Sequence, residues 1–307
     1  MAELIDLYTD MTIRDLSKKE HMETIYSIGP IFHLFGTLDV DEFTASHLEE
    51  VQRHMITLGW VRKTVNRRIT RIKRMVRWGS KRGYCPPTLY HALLCVEGLK
   101  RGQWGARDND PVEPVSREVV EATIPWMKPD VAAMVRVQLL CGMRSQDVCG
   151  MRPMDIDMSG EIWIYSPPEH KTAHLNKRRI IAIPKTVQGL LKPLLHKVEP
   201  DQFVFSPRRS ELARQADRVA NRNPNRQTPI YPSELRASAK AKIARRQKES
   251  NLRDRYDSMS YRQAIDYAID KAARADPPVE IPHWHPHQLR HTISTEISQT
   301  IGEQQAQ

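Results

Sequence analysis

The 307-residue chain holds only four cysteines, Cys85, Cys95, Cys141 and Cys149, and no two of them form a CxxC pair. That spacing argues against a disulfide framework or a zinc site and predicts reduced residues packed in the interior. No apolar run approaches the roughly 18 residues of a membrane-spanning helix, and the opening MAELIDLYTDM is acidic where a secretory leader would be basic. A cytoplasmic protein with no membrane partner is expected. No internal repeat is present. Between Arg62 and Tyr84 there is no Asp or Glu, and no tyrosine follows Tyr267.

What is present is positive charge and enough apolar residue for real cores. Hydrophobic residues make up 40% of the chain and the formal net charge is +10, which points to a polyanionic partner, nucleic acid ahead of a membrane surface. Ten Lys or Arg fall between Arg62 and Tyr84. Val65, Ile69, Ile72, Val76 and Trp78 give the same stretch a helical apolar stripe, predicting a helix from Thr64 to about Lys81. Solvated helix faces normally mix charge signs to limit repulsion between successive turns. A face with cations alone calls for phosphates, so Lys63, Arg67, Arg71, Arg74 and Arg77 are candidate contacts to nucleic acid.

Residues 1–105 read as helices separated by short breaks. The aperiodic RGQWGARDNDPVEPVS from Arg101 to Ser116 is the best linker, with its centre at 106–115. Beyond it, residues 116–307 alternate in character. Ser116 can cap a short helix, Pro129 to Cys141 reads as a helix ended by Gly142, and another begins near Ser145. Glu161 to Tyr165 and Arg178 to Ile183 read as two strands joined by a polar loop, Pro184 opens a helix to about Leu195, and Phe203 to Phe205 reads as a short strand. From Arg208 to Asp257 there are fourteen Lys or Arg against six Asp or Glu and few large apolar residues. This basic insertion, about 208–257, is either partly disordered or a helical arm. Order resumes at Ser260, where the apolar positions Ala264, Ile265, Tyr267, Ala268, Ile269 and Ala272 indicate a helix. The whole predicts a mainly α protein with a small β-sheet.

The chemistry-bearing residues are concentrated in the second part. In His285-Pro286-His287-Gln288-Leu289-Arg290-His291, helical spacing puts His287 and Arg290 on one face, an imidazole that moves a proton beside a guanidinium that forks onto phosphate oxygens. His283, His285, His287 and His291 do not read as a metal site: no carboxylate or thiolate accompanies them, and an arginine among them repels a cation. Arg144 follows the Gly142 turn at a helix start, where backbone donors favour an anion, and Asp147 can brace it; the plain alternative is a surface ion pair. Lys171 lies in the loop between the two strands, where a lysine can protonate a leaving oxygen, with Lys177 as its rival.

In this order, these residues resemble the tyrosine recombinases, the phage-integrase family of DNA strand exchangers. The family's first box is similar to Leu140-Cys141-Gly142-Met143-Arg144-Ser145-Gln146-Asp147. Its hairpin lysine resembles Lys171, with Ile183-Pro184 beyond, and its second box is matched by His287, Leu289, Arg290 and His291, followed by Thr292. The resemblance implies a helical core-binding domain at 1–105 and a mixed α/β catalytic domain at 116–307, clamping duplex DNA as a homo-oligomer, dimer to tetramer. It implies a reaction without cofactor or metal, in which Arg144 and Arg290 stabilise a phosphorane, Lys171 is the general acid, His287 assists proton transfer, and Asp147 and His291 support the site. It also implies a nucleophilic tyrosine about thirty residues past Arg290, and the chain has none there. A truncated or degenerate recombinase, unable to cleave DNA in cis, is therefore expected, with a non-enzymatic DNA-binding regulator as the alternative. The DNA target sequence is not legible, because phosphate contacts carry no base information.

Overall fold

The computed structural model describes residues 1–12, 15–168, 178–221, 232–233, 236 and 252–306. The chain forms two compact units, Met1–Pro111 and Val112–Gln307, each with its own hydrophobic core. Among the described residues no helix is long and apolar enough to cross a membrane.

The first unit is helical: α1 (Ala2–Thr12), α2 (Lys18–Phe35), α3 (Ala45–Thr57), α4 (Arg62–Lys81) and α5 (Pro87–Leu94). Helix α4 is the central element, burying Val65, Ile69, Ile72, Met75 and Val76. It starts two residues before Thr64 because Arg62 is fixed from outside the helix. The Arg62 N–H donates to Arg107 O at 2.7 Å, and its side chain pairs with Asp108 at 2.9 Å. Residues 107 and 108 of the expected linker are thus fastened to the first unit. Cys85 is buried as expected, but Cys95 is exposed, since it caps α5 on the outward side of the last turn.

The basic face of α4 is only partly open. Arg71, 11% exposed, pairs with Glu20 at 2.9 Å and Glu23 at 3.5 Å, both on α2. Arg68 lies over the Trp60 ring at 3.5 Å and Arg82 over Trp78 at 4.5 Å, while Lys73 donates to Val96 O at 2.5 Å. The missing counter-charge therefore comes from another helix, and several cations have neighbours inside the unit. What remains exposed is one stripe at helical spacing: Lys63, Arg67, Arg74, Arg77 and Lys81.

The second unit contains α6 (Arg117–Thr123), α7 (Pro129–Cys141), α8 (Ser145–Cys149), β1 (Ile156–Asp157), β2 (Trp163–Tyr165), β3 (Ile181–Ile183), α9 (Lys185–Leu195), α10 (Pro207–Ala220), α11 (Ser258–Ala273) and α12 (Pro286–Ala306). The strands form an antiparallel sheet in the order β1-β2-β3, with Trp163 opposite Ile183 and Tyr165 opposite Ile181. Those four side chains are buried, so the alternation in EIWIY and RRIIAI marks the core face. A mainly α fold with a small sheet is what the chain adopts.

Phe203–Phe205 is not a strand. The Arg209 guanidinium takes Phe203 O and Val204 O at 2.6 and 2.7 Å, removing the acceptors a strand neighbour would use, and a single backbone bond, Val204 N–H to Met151 O, remains. The first part of the basic insertion is helix α10; most of its remainder, and the loop with Lys171 and Lys177, lie outside the described residues.

The arginines of α4 separate into a nearly buried one, Arg71, and exposed ones whose ion pairs to α2 are looser, Arg67 to Glu23 at 3.4 Å and Arg74 to Glu20 at 3.7 Å, and that division is measurable. Arg71→Ala should destabilise the protein by roughly 1.5–3 kcal/mol, the scale of a charge-assisted hydrogen-bond pair, whereas Arg67→Ala and Arg74→Ala should each stay within about 0.5 kcal/mol. Urea denaturation of the three variants checks this, and equal losses would refute the division.

Candidate phosphate site

The site begins at the end of α7. Gly142 closes that helix in the left-handed conformation, φ 60°, with its N–H donating to Gln138 O at 2.9 Å. A β-carbon there would approach Ile293 Cγ2 of α12 at 3.2 Å. Glycine is required by the backbone, and any other residue would also need the Ile293 side chain to yield. Two residues on, Arg144 occupies the N-cap of α8 with its side chain exposed, and among the described residues no acceptor pairs with its guanidinium.

Asp147, 3% exposed, does not brace that guanidinium as the sequence suggests. Its carboxylate folds back on the helix start, as acidic side chains at this position do. Oδ2 accepts the backbone N–H of Arg144 at 2.9 Å and pairs with Arg179 Nη2 at 2.7 Å. The buried Tyr165 hydroxyl donates to Asp147 O at 2.8 Å. Sequence reasoning took Arg179 only as a basic strand residue, although period-two spacing puts it on the same face as buried Ile181 and Ile183. A cation on an inward face signals a buried partner.

Helix α12 supplies the opposite wall. Leu289 enters the core, and Gln138 Nε2 donates to Pro286 O at 2.8 Å. Gln288 Nε2 donates to Glu113 O at 3.0 Å. The Thr292 hydroxyl donates to Val115 O at 2.7 Å and accepts from Val115 N–H at 3.1 Å. With Gln288, Leu289 and Thr292 so held, Arg290 Nη1 reaches Gly142 O at 2.5 Å. His287 meets His291 edge-on, with ring centroids 4.8 Å apart.

Charge follows the same geometry. Burial pushes the Arg179 pKa down, Asp147 opposes this, and Arg144 and Arg290 add to the lowering. His287 is held below the usual imidazole value first by desolvation and then by His291, Arg290 and Arg144, and His285 is lowered by burial and by Arg262. A neutral His287 at pH 7 is a proton acceptor beside two guanidiniums. Arg144, Asp147, His287, Arg290 and His291 thus meet in one place, and Arg179 joins them. Lys171 lies outside the described residues, and Lys63, Arg67, Arg71, Arg74 and Arg77 belong to the first unit. Among the described residues no group of three His, Cys, Asp or Glu could hold a metal ion.

Two measurements test this geometry. Gly142→Ala should destabilise the protein by roughly 1–2 kcal/mol through its left-handed backbone, with further loss if Ile293 cannot yield; an unchanged urea midpoint would contradict it. Because the folded-state pKa of His287 is depressed, its contribution to stability is present above the unfolded value of about 6.5 and is lost as the pH falls through that range. Arg290→Ala should move the NMR titration midpoint of His287 upward, and an unmoved midpoint would separate the two residues.

Comparison with known proteins gives a consistent result. No curated protein matches the chain in sequence. Among solved structures, the integrase of transposon Tn1549 in complex with circular intermediate DNA is similar at a TM-score of 0.56 and 13% identity, over 97% of this chain and 87% of that one. A lambda integrase dimer bound to a COC′ core site is similar at 0.58 and 11%, over 95% and 84%. A lambda integrase tetramer bound to a Holliday junction is similar at 0.56 and 11%, over 94% and 68%. At such identities these likenesses speak to fold. The model of the phage integrase family matches residues 119–305, from α6 through the Arg290 helix, and the chain belongs to that family.

Proposed function

We propose that this chain binds duplex DNA and carries the phosphate-activating part of a site-specific recombinase, whose full-length parent cleaves and rejoins strands through a phosphotyrosine intermediate. The first unit is the core-binding domain and the second the catalytic domain. One observation carries the reading: two arginines 146 positions apart in the sequence meet at one turn, Arg290 held on Gly142 O and Arg144 two residues beyond it. Fixed guanidiniums stabilise charge that develops on non-bridging phosphate oxygens without reorganising. His287 takes or returns a proton near the attacking oxygen, His291 orients it, and Lys171 protonates the departing 5′-oxygen as the P–O5′ bond breaks. Asp147 keeps the Arg144 turn in place. No cofactor is required, since the phosphotyrosyl bond conserves the energy of the one broken. Assembly on DNA as a dimer or tetramer is in keeping with the lambda integrase complexes.

Among the described tyrosines of the second unit none is an evident nucleophile. Tyr165 is buried and bonded to Asp147 O, Tyr256 and Tyr261 are buried, and Tyr267 is 73% exposed on α11, ahead of the second box. The alternative reading is a non-enzymatic DNA-binding regulator on the recombinase scaffold.

A randomised duplex library distinguishes the two. Residues 1–307 should bind it without forming covalent protein–DNA adducts. Hydrogen peroxide, standing in for the phenolate, should produce strand breaks at a defined sequence that disappear in Arg144→Ala and Arg290→Ala. Breaks that persist in both variants would refute the assignment, and binding with no breaks selects the regulator. Charge reversal of Arg67, Arg74 and Arg77 should weaken duplex binding and flatten its salt dependence by about 0.9 in log–log slope for each phosphate no longer neutralised. Unchanged affinity would remove α4 from the interface.

A further inference from the structure

Three guanidiniums converge on the phosphate site, and they are not equivalent. Arg144 is exposed and unpaired among the described residues, and Arg290 lies on a backbone carbonyl. Arg179, just ahead of β3, is 17% exposed and bound to the only carboxylate of the group, Asp147, at 2.7 Å. Among the described residues its buried Nε has no hydrogen-bond partner, and its Nη2 is committed to Asp147, so turning to an incoming phosphate would break that pair. The carboxylate oxygen that Arg179 holds also accepts the Arg144 N–H, at 2.9 Å. The Tyr165 hydroxyl fixes the same residue through its backbone carbonyl.

We propose that Arg179 is a positioning residue for the phosphate site: by pairing with Asp147 it fixes the backbone from which Arg144 projects and keeps the buried carboxylate from neutralising the arginines that face the phosphate. The proposal rests on the reading of Arg144 and Arg290 as phosphate ligands. A buried carboxylate requires a close cation. With Arg179 gone, the nearest one available is the Arg144 guanidinium three residues before it, which would fold back onto Asp147 and leave the site. With Arg179 present, Asp147 offers Arg144 only a hydrogen-bond acceptor for its N–H, and both outward guanidiniums stay clear of the carboxylate. An amide at position 147 would still accept that N–H while carrying no charge to be matched.

Arginine Nε–H NMR signals of residues 1–307, titrated with inorganic phosphate, test this without any cleavage step. Phosphate should shift the Arg144 and Arg290 signals together in the parent chain. Arg179→Gln should weaken that binding about tenfold, and Arg179→Lys should recover part of it. The charge-neutral pair Asp147→Asn/Arg179→Gln should return to within about twofold of the parent, and it keeps the test valid where Arg179→Gln alone folds poorly. Undiminished phosphate binding in Arg179→Gln would overturn the role. A double variant as weak as or weaker than Arg179→Gln would overturn it too, making Arg179 a direct ligand. Should phosphate move neither Arg144 nor Arg290 in the parent chain, the reading of the site itself fails, and this role with it.

Discussion

A backbone at φ 60° joins α7 to α8, and each part of the candidate phosphate site is referred to that turn. Gly142 O receives Arg290 from α12, Ile293 of the same helix closes over the Gly142 α-carbon, and Arg144 leaves the turn two residues later. The chain is thereby constrained on two sides by one helix. A larger residue would have to displace the Ile293 side chain, and any shift of α12 that followed would carry Arg290 and His287 with it. The conformational freedom of a single glycine thus sets the spacing of two guanidiniums drawn from opposite ends of the second unit.

Electrostatics in the two units follow one logic, in which a buried or half-buried charge is matched locally and unmatched charge is left outside. In the first unit Glu20 and Glu23 of α2 hold Arg71, and the Glu20 carboxyl is kept below the usual carboxylate range by its hydrogen bonds from Arg71. In the second, Asp147 holds Arg179. Each leaves an outward set without a close carboxylate of equal quality: Lys63, Arg77 and Lys81 on α4, and Arg144 at the start of α8. A basic run is therefore less informative by its length than by the fraction of it that the fold does not neutralise.

The helices and the inward faces of β2 and β3 were legible because apolar period specifies them directly, and the Gly142 stop was legible because its position terminates one period before another begins. His287 and Arg290 were legible as neighbours because their relation is local, three residues on one helix. The partner of Asp147 was not, since Arg179 approaches from the sheet, 32 positions away in the chain, and local spacing offered Arg144 first. The Phe203–Phe205 segment misled for a related reason: its apolar pattern is that of a strand, but a side chain six residues on takes its carbonyls. The basic stripe of α4 showed its charge in sequence, while the acids that neutralise part of it lie 51 and 48 positions earlier on α2, beyond the reach of any window.

The paired bonds between Thr292 and Val115 join residues 177 positions apart. Contacts of such separation form only after the intervening chain is available, and they slow and delay closure of the unit that contains them. During synthesis the helical first unit, whose core is complete by Ala106, can fold while the second is still being made. The second must wait for α12, which brings both the strap and Arg290. A nascent chain thus acquires its α4 surface well before Arg290 can reach the Gly142 turn.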